Sequence, residues 1–218
     1  MFKLTVIIIG LLILTAPIYA YDDEDFQVWN TDTEEFKINK DMKATLEEEF
    51  RWADNADEFY YHHYDAGMNY ACNKQLSLGG GYRHIYELKK GKFKQENAPY
   101  IVATLSGESK GFSLESRNRV EYRHFDYQPD SWRYRNKFTL RAPWKFTKIE
   151  IQPFVSDEIL ASFASGTNQL NQNRISCGIG MQLLKSLKAE AYYMRVSSKS
   201  SGKWSDVNVL GTKIKLLF

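Results

Sequence analysis

The chain has 218 residues, with 29 Lys and Arg against 27 Asp and Glu and a formal net charge of +2. This length predicts one or two domains with enough chain to bury a sizeable core. A mean hydropathy of −0.49 excludes a bundle of membrane-spanning helices. The balanced charge offers nucleic acid no net field, so we expect no nucleic-acid partner.

The first segment, residues 1–20, has the pattern of an export signal. Lys3 supplies a positive start, Val6 to Leu14 form an unbroken apolar run, and the residues up to Ala20 resemble a cleavage region. The apolar run is too short to span a bilayer as a helix, which needs about 20 residues. The sequence therefore predicts a cleaved signal peptide over 1–20 and a single β-barrel domain over 21–218.

Beyond residue 20, apolar residues recur at every second position and not at helical spacing. Between residues 111 and 125, for example, Phe112 and Leu114 alternate with Glu115, Arg117 and Arg119. Successive side chains of a strand point to opposite faces, so each predicted strand has one apolar and one strongly charged face.

Turn-forming segments of two lengths alternate along the chain. Up-and-down transmembrane barrels have short turns at one end and longer loops at the other, which favours this architecture. The predicted strands are about 10–16 residues long, enough to cross a membrane at a tilt. The sequence predicts an all-β, up-and-down antiparallel transmembrane β-barrel of 10–12 strands. The predicted short turns are 39–41, 73–75, 108–111, 145–147 and 185–186, and the long loops are 54–58, 89–98, 127–130, 165–173 and 197–206.

The strand count poses a problem, because eleven segments are strand-like while single-chain bacterial barrels have an even number. Either the first segment, 25–38, is not a full strand and the barrel has ten, or a short extra strand makes twelve. Two acidic residues, Glu48 and Asp157, fall on otherwise apolar faces. A bulge at Pro153 would shift the phase of Asp157.

Tryptophans stand near the predicted strand ends. Trp132 and Trp144 share one face of one predicted strand, and a tilt near 40° separates them by about 30 Å along the barrel axis. That distance fits two aromatic girdles around an apolar band. Trp52 and Trp204 also lie at strand ends, so we assign these four residues to the girdles.

The last predicted strand ends on an aromatic residue. Its apolar face includes Leu210, Ile214, Leu216 and Phe218. Such a strand resembles the signal that the bacterial barrel insertion machinery reads, so this machinery is an expected partner during biogenesis.

Five stretches carry a resemblance to a known family: Phe26–Asn30, Leu46–Arg51, Tyr60–His63, Trp132–Lys137 and Asn208–Lys213. With them, the chain from residue 21 onward resembles an uncharacterised family of bacterial outer-membrane β-barrel proteins, a domain of unknown function. The resemblance implies an outer-membrane barrel, surrounded by outer-membrane lipid and lipopolysaccharide, but no reaction, ligand or catalytic residue. We expect a monomer.

The polar faces predict a barrel interior with charges of both signs, which neighbouring strands can pair. A barrel of ten to twelve strands lies between those filled by side chains and those with a channel. We therefore expect a structural barrel or a narrow pore for small charged solutes, with the arginines favouring anions. The predicted ladder of interior charges comprises Glu47, Glu49, Arg51, Arg83, Glu115, Arg117, Arg119, Glu121, Arg123, Arg133, Arg135, Lys137, Arg141, Lys213 and Lys215.

An outer-membrane hydrolase acting on lipid or peptide is the first alternative. The adjacent His62 and His63 point to opposite faces of a strand and cannot chelate one metal ion. His63 and Asp65 share the inward face near the outer rim, where a carboxylate could orient an imidazole. Ser77 and Ser113 are inward serines without a nucleophile motif, so the catalytic set is incomplete.

A secreted soluble β-barrel binding protein is the second alternative. It would not account together for the girdle spacing, the sorting of turns by length and the terminal Phe218. The sequence predicts no cofactor and no metal site. Cys72 and Cys177 are expected at different depths and on different faces, which disfavours a disulfide between them.

Overall fold

The computed structural model describes residues 23–164, 167–200 and 202–218, so the predicted signal peptide lies outside the described residues. Every regular element within these ranges is a β-strand. None of the described residues belongs to a helix long and apolar enough to cross a membrane.

Eleven strands close into one barrel in which each strand pairs with its neighbours in sequence, and β11 pairs with β1. The predicted all-β barrel of 10–12 strands is therefore confirmed. The strands are β1 (Asp25–Lys37), β2 (Met42–Ala53), β3 (Glu58–Ala71), β4 (Leu76–Lys89), β5 (Lys92–Ser109), β6 (Phe112–Phe125), β7 (Ser131–Arg141), β8 (Gln152–Ala164), β9 (Thr167–Leu184), β10 (Leu187–Ser200) and β11 (Lys203–Leu217).

The seam between β1 and β11 is parallel, with Phe26 opposite Asn208 and Glu34 opposite Leu216. An up-and-down chain with an odd number of strands brings its first and last strands together in the same direction. Neither predicted solution, ten or twelve strands, is correct, and the expectation of antiparallel pairing fails at this one seam. The even-number rule assumes an antiparallel closure, which this barrel does not use.

The barrel has two ends, which differ in the strands that they connect. The upper end joins β2 to β3, and the lower end contains the C-terminal Phe218. The predicted loops 89–98, 165–173 and 197–206 are mostly strand, because β5 begins at Lys92, β9 at Thr167 and β11 at Lys203. Cross-strand backbone hydrogen bonds do not need apolar side chains, so these polar hairpins remain paired. The longest connection within the described residues is 142–151, at the lower end, so the predicted sorting of turns by length is wrong.

Side chains alternate between the barrel interior and its outer surface. In β1, Gln27, Trp29 and Thr31 are buried inside the barrel. On the outer surface, Ile101 is 68% exposed and Ile175 is 60% exposed. This distribution is the reverse of a water-soluble protein, whose large apolar side chains lie mainly inside.

Register shifts between the described strands change which residues face the interior. The shift between Arg51 and Trp52 allows both Tyr60 and Tyr61 to be buried, and the Tyr60 hydroxyl donates to Gln27 Oε1 at 2.9 Å. A second shift lies between Leu160 and Ala161, and a third lies between Leu187 and Lys188.

The register of β8 against β9 is continuous through Pro153, so the predicted bulge there is absent. Asp157 keeps the outward phase and accepts a hydrogen bond from Asn173 Nδ2 at 2.6 Å. Glu48 likewise keeps its outward phase, opposite Asp32 and Tyr64. Cys72 and Cys177 are both free, in agreement with the sequence expectation.

Candidate functional site

Inward positions of β2 to β9 bring acidic and basic side chains together across the barrel interior. Two of these contacts join strands that are not neighbours, β2 to β4 and β3 to β6, so the side chains meet inside the barrel. The links, by N–O distance, are Glu47–Arg83 (3.3 Å), Arg83–Asp65 (2.9 Å), Asp65–Arg119 (3.7 Å), Arg119–Glu121 (3.6 Å), Glu121–Arg135 (3.2 Å), Arg135–Glu158 (2.8 Å) and Glu158–Arg174 (3.3 Å). We call these eight residues the central network.

The central network is inaccessible to solvent over most of its length. Glu121 is 1% exposed, Glu158 is 5% exposed and Arg119 is 6% exposed. Carboxylates and guanidinium groups occur in equal numbers, so each buried charge has a partner of opposite sign, as burial of charges requires. The network therefore fills the interior at its level.

Tyr100 connects the network to the glycines of β3 and β4. Its hydroxyl donates to Asp65 Oδ1 at 2.6 Å, and the Arg119 guanidinium lies 3.9 Å from its ring centroid. The ring passes over Gly81 and Gly67, where an added Cβ would lie 2.5 Å and 2.8 Å from the Tyr100 hydroxyl oxygen. Glycine at these positions gives Tyr100 the room to reach Asp65.

The structure does not pair His63 with Asp65 as a catalytic dyad. His63 is 1% exposed, and its Nδ1 lies 3.1 Å from the Tyr61 hydroxyl. Asp65 instead accepts hydrogen bonds from Arg83 Nε and Tyr100. A carboxylate already bound by a guanidinium is not available to orient an imidazole.

Neither predicted serine approaches the imidazole of His63. Ile85 is the residue of β4 opposite His63, and Ser77 is opposite Ala71. This register places Ser77 about 26 Å along the strand from the level of His63. Ser113 pairs with Arg141 near the lower end of the barrel, far from the same level. Neither serine is therefore placed as a nucleophile for His63.

Most of the remaining predicted interior charges are also ion-paired, some between neighbouring strands and some across the interior. Lys137 is half-buried, while Glu115 is exposed and forms no ion pair with any described residue. The pairs are Arg51–Glu49 (2.5 Å), Arg117–Glu158 (3.5 Å), Arg123–Glu96 (2.5 Å), Arg133–Glu121 (2.5 Å), Arg141–Glu190 (2.6 Å), Lys213–Glu47 (3.1 Å) and Lys215–Glu35 (2.6 Å).

The interior differs between the two ends. The side chains of Arg141, Lys213 and Lys215, which lie towards the lower end, are about one-third exposed. Towards the upper end, a cavity of about 300 Å³ lies above the central network. Its lining includes Arg133, Arg174 and residues of the 126–130 connection.

Sequence analysis missed several interior residues that shape this site. Glu158 follows Asp157 in the sequence, and Arg174 follows Asn173. Because Asp157 and Asn173 point outward, strand alternation places Glu158 and Arg174 on the inward face. Trp29 shares the polar face of β1, and is 4% exposed with the guanidinium of Arg51 3.6 Å from its ring centroid. The sequence signal for an inward tryptophan was its position between glutamine and threonine on the alternating polar face of β1.

The four predicted girdle tryptophans lie on the outer side of the barrel. Trp132 is 53% exposed, Trp204 is 48% exposed, and Trp52 packs against Phe59. Trp144 does not share a strand with Trp132 as expected, because β7 ends at Arg141, and it lies in the 142–151 connection. Both tryptophans still stand near opposite ends of the barrel.

The C-terminal residues also line the outer surface. Leu210, Ile214, Leu216 and Phe218 are each more than one-third exposed. The Phe218 ring stacks on Phe36 with centroids 5.1 Å apart, and the Phe218 amide donates to Glu35 O at 2.9 Å. The chain terminus is thereby fixed to β1 at the parallel seam.

A groove of about 610 Å³ crosses the outer surface of β11, β1, β2, β3 and β4. Its wall is mainly apolar, with Leu46, Ile214 and Leu216, but it also contains Asp32 and Glu48. These two carboxylates are directly opposite each other in the register of β1 and β2. Neither forms an ion pair with any residue that the structure describes.

One cluster among the described residues has metal-ligating composition, namely Asp23, Glu24 and Asp206 at the upper end. Arg195 Nη2 donates to Glu24 at 3.1 Å and to Asp206 at 2.8 Å. The cluster thus already has a cationic partner, and its exposure is typical of surface ion pairs.

Comparison with known proteins agrees with the family resemblance. Neither a curated protein nor a solved structure matches the chain. One family model matches residues 26–207, which cover β1 to β10 and the beginning of β11. The chain therefore belongs to the family described as "Protein of unknown function (DUF2490)".

Proposed function

We propose that this chain is a structural outer-membrane β-barrel with a closed interior, and not an open pore. It would be exported with a cleaved signal peptide, delivered by the barrel insertion machinery, and surrounded as a monomer by outer-membrane lipid and lipopolysaccharide. The observation that carries the proposal is the inverted distribution of side chains, with large apolar residues outside and ion-paired charges inside.

The outer surface supports the membrane part of the proposal. Monomeric soluble proteins rarely expose large contiguous apolar surfaces, whereas here exposed residues such as Leu105, Val155 and Ile175 occur on separate strands around the barrel. The strands have 11–18 residues, which exceeds the roughly 9–11 that a tilted transmembrane strand needs. Tryptophans near both ends are typical of membrane barrels.

The central network supports the closed interior. A solute that crossed the barrel would have to separate buried pairs such as Arg135–Glu158, whose N–O distance is 2.8 Å. Separating such a pair leaves a buried charge without a partner, at a cost of about 3–5 kcal/mol. This favours the structural alternative over the narrow anion pore.

The membrane part is tested by tryptophan quenching. Single-tryptophan variants that retain only Trp132 or only Trp29 are purified from the outer membrane of a Gram-negative host expressing the full chain. In vesicles of brominated phospholipid, we expect strong quenching of Trp132, which is 53% exposed on the outer side, and little quenching of the interior Trp29. Equal quenching of both, or recovery of the protein only from the soluble fraction, would support the secreted binding protein instead.

The closed interior is tested by planar-bilayer conductance of the same purified protein. We expect no stable open steps from the wild type. The matched variant Arg135→Ala/Glu158→Ala removes one buried charge of each sign, which leaves the net charge of the interior unchanged, and should introduce ion conductance. Steady conductance of the wild type would contradict the closed interior, and selectivity for anions would restore the pore alternative.

A further inference from the structure

The cavity at the upper end is lined mainly by basic side chains. Its volume is about 300 Å³, which is at the lower limit for small-molecule pockets and would hold about ten water molecules. The lining residues of β4 and β7 that lie farthest from the upper end are Arg83 and Arg135, both members of the central network. The arginines in the lining are Arg51, Arg83, Arg123, Arg133, Arg135 and Arg174.

Most of the carboxylates that neutralise these arginines lie behind them. Glu49, Glu121 and Glu158 pair with Arg51, Arg133 and Arg135, and none of the three carboxylates lines the cavity. The guanidinium groups are therefore held in place from behind and present their remaining N–H groups to the cavity.

Two carboxylates do line the cavity, and each is already paired with a cation. Glu96 accepts two hydrogen bonds from Arg123, at 2.5 Å and 2.7 Å. Glu87 accepts one from Lys89 Nζ at 2.6 Å. The surface that faces a ligand is consequently basic, which suits an oxyanion because guanidinium groups bind phosphate oxygens with matching geometry.

The cavity also contains neutral polar groups, among them Tyr61, Tyr127 and Gln172. Asn171 is a further lining residue, and its Nδ2 donates to Ser162 Oγ at 2.9 Å. Its Oδ1 is buried and accepts no hydrogen bond from any described residue. That oxygen has no surface accessible to a group in the cavity, so the neutral groups that a ligand hydroxyl can contact are those of Tyr127 and Gln172.

We propose that this cavity binds a small phosphorylated polyol, with the phosphate among the guanidinium groups and a hydroxyl of the ligand against Tyr127 and Gln172. The ligand enters from the upper end, since the central network closes the cavity below. The inference rests on the proposed function only in assuming that the central network closes the cavity from below. Ligand binding can still be tested if the barrel conducts ions.

The test is isothermal titration calorimetry of the full-chain protein, extracted in detergent from the outer membrane, with glucose 6-phosphate as the probe. We expect binding that is at least tenfold tighter than for inorganic phosphate or for glucose, because only the ester presents both chemistries. Failure of the folded wild type to bind glucose 6-phosphate would overturn the proposal. Equal affinity for inorganic phosphate would overturn the assignment of a polyol.

Matched variants locate the site. Arg133→Gln should weaken binding of glucose 6-phosphate about tenfold to hundredfold, because a hydrogen bond to a charged group is lost. Arg117→Gln removes the same charge from an ion-paired interior arginine that does not line the cavity, and should change affinity less than about twofold. Equal effects of the two substitutions would show a general electrostatic response and overturn the assignment.

Tyr127→Phe separates the two parts of the ligand, and it keeps the test valid if Arg133→Gln does not fold. It should weaken binding of glucose 6-phosphate and leave binding of inorganic phosphate unchanged, and equal weakening of both would contradict a contact between the polyol and the Tyr127 hydroxyl. Lipopolysaccharide carries sugar phosphates on an acylated anchor that cannot enter the cavity. Its addition should not displace glucose 6-phosphate, and displacement would assign the cavity to a lipid headgroup.

Discussion

Glu47 and Glu48 are neighbours in β2 and face opposite sides of the barrel wall. Inside, Glu47 lies 3.3 Å from Arg83 and 3.1 Å from Lys213. Outside, Glu48 stands opposite Asp32 and has no cationic partner among the described residues. A glutamate is therefore stabilised by neighbouring cations on the inner face, and a glutamate on the outer face is repelled by a like charge.

Glu47 and Glu48 differ mainly in whether a cation lies nearby. In this barrel, most buried charges have an ion-pair partner, whereas these two outer carboxylates, Asp32 and Glu48, have none among the described residues. The central network contains residues of strands from β2 to β9, and most of its ion pairs join two different strands. Asp32 and Glu48 interrupt an otherwise apolar surface beside the parallel seam. Charge in the central network thus connects strands, whereas Asp32 and Glu48 oppose each other on the outer surface.

The largest expected effect comes from breaking the central network at Glu121, which contacts Arg119, Arg133 and Arg135. Glu121→Gln should lower the free energy of unfolding in phospholipid vesicles by about 3–5 kcal/mol, because buried guanidinium groups lose their counter-charge. Urea titration with tryptophan fluorescence measures the change.

The control for this substitution lies on the same face of the same strand. Glu115 is exposed towards the lower end and has no ion pair in the described part of the chain, so Glu115→Gln should change stability by less than about 0.5 kcal/mol. Similar losses for both variants would mean that net charge, and not the buried contacts, determines stability.

A substitution pair at Glu47 and Glu48 tests the two faces directly. Glu47→Leu should destabilise the barrel by about 3 kcal/mol, because Arg83 and Lys213 lose a partner. Glu48→Leu should stabilise it by about 1–2 kcal/mol in vesicles, since it removes a like-charge contact and a carboxylate from an apolar surface. Destabilisation by Glu48→Leu would indicate that the outer carboxylates have a partner in the membrane.

Much of the fold was predictable because strand alternation depends on a period of two that local sequence carries. Residues such as Arg119 and Arg135 follow this period without interruption. The ends of strands were not predictable in the same way, since the polar segment 89–98 is rich in turn-forming residues yet continues a paired hairpin. The parallel seam depends on the total number of strands, which no single segment specifies.

The site was less predictable than the fold. Alternation placed the charges on the inward face, but the links between β3 and β6 or β6 and β8 depend on the curvature of the closed barrel. His63 and Asp65 were candidates for a shared site only in the hydrolase alternative, and the cation bound to Asp65 comes from β4. Sequence spacing describes one strand at a time and contains no distance across the interior.

Two tyrosine–carboxylate hydrogen bonds of equal length offer a finer test. Tyr100 donates to the buried Asp65 at 2.6 Å, and Tyr122 donates to the exposed Asp130 at 2.6 Å. Tyr100→Phe should cost about 1–3 kcal/mol, because it leaves a buried carboxylate short of a donor. Tyr122→Phe should cost much less than Tyr100→Phe, since water can replace the donor at an exposed carboxylate. Equal effects in urea titration would contradict the importance of burial.

The smallest expected effect concerns the pH dependence of Asp130, in the connection between β6 and β7. Hydrogen bonds from His124, Tyr122 and the Phe125 amide lower the pKa of Asp130 to about 2. A lowered carboxyl pKa stabilises the folded state above the pKa of the unfolded chain, near 3.9, and this contribution is lost as pH falls towards 2. The urea midpoint of the wild type should therefore exceed that of Asp130→Asn at pH 5, and the two should converge at pH 2. Because the interior carboxylates titrate in both proteins, their effect cancels in the comparison. A difference that persists unchanged at pH 2 would exclude the Asp130 carboxylate as its source.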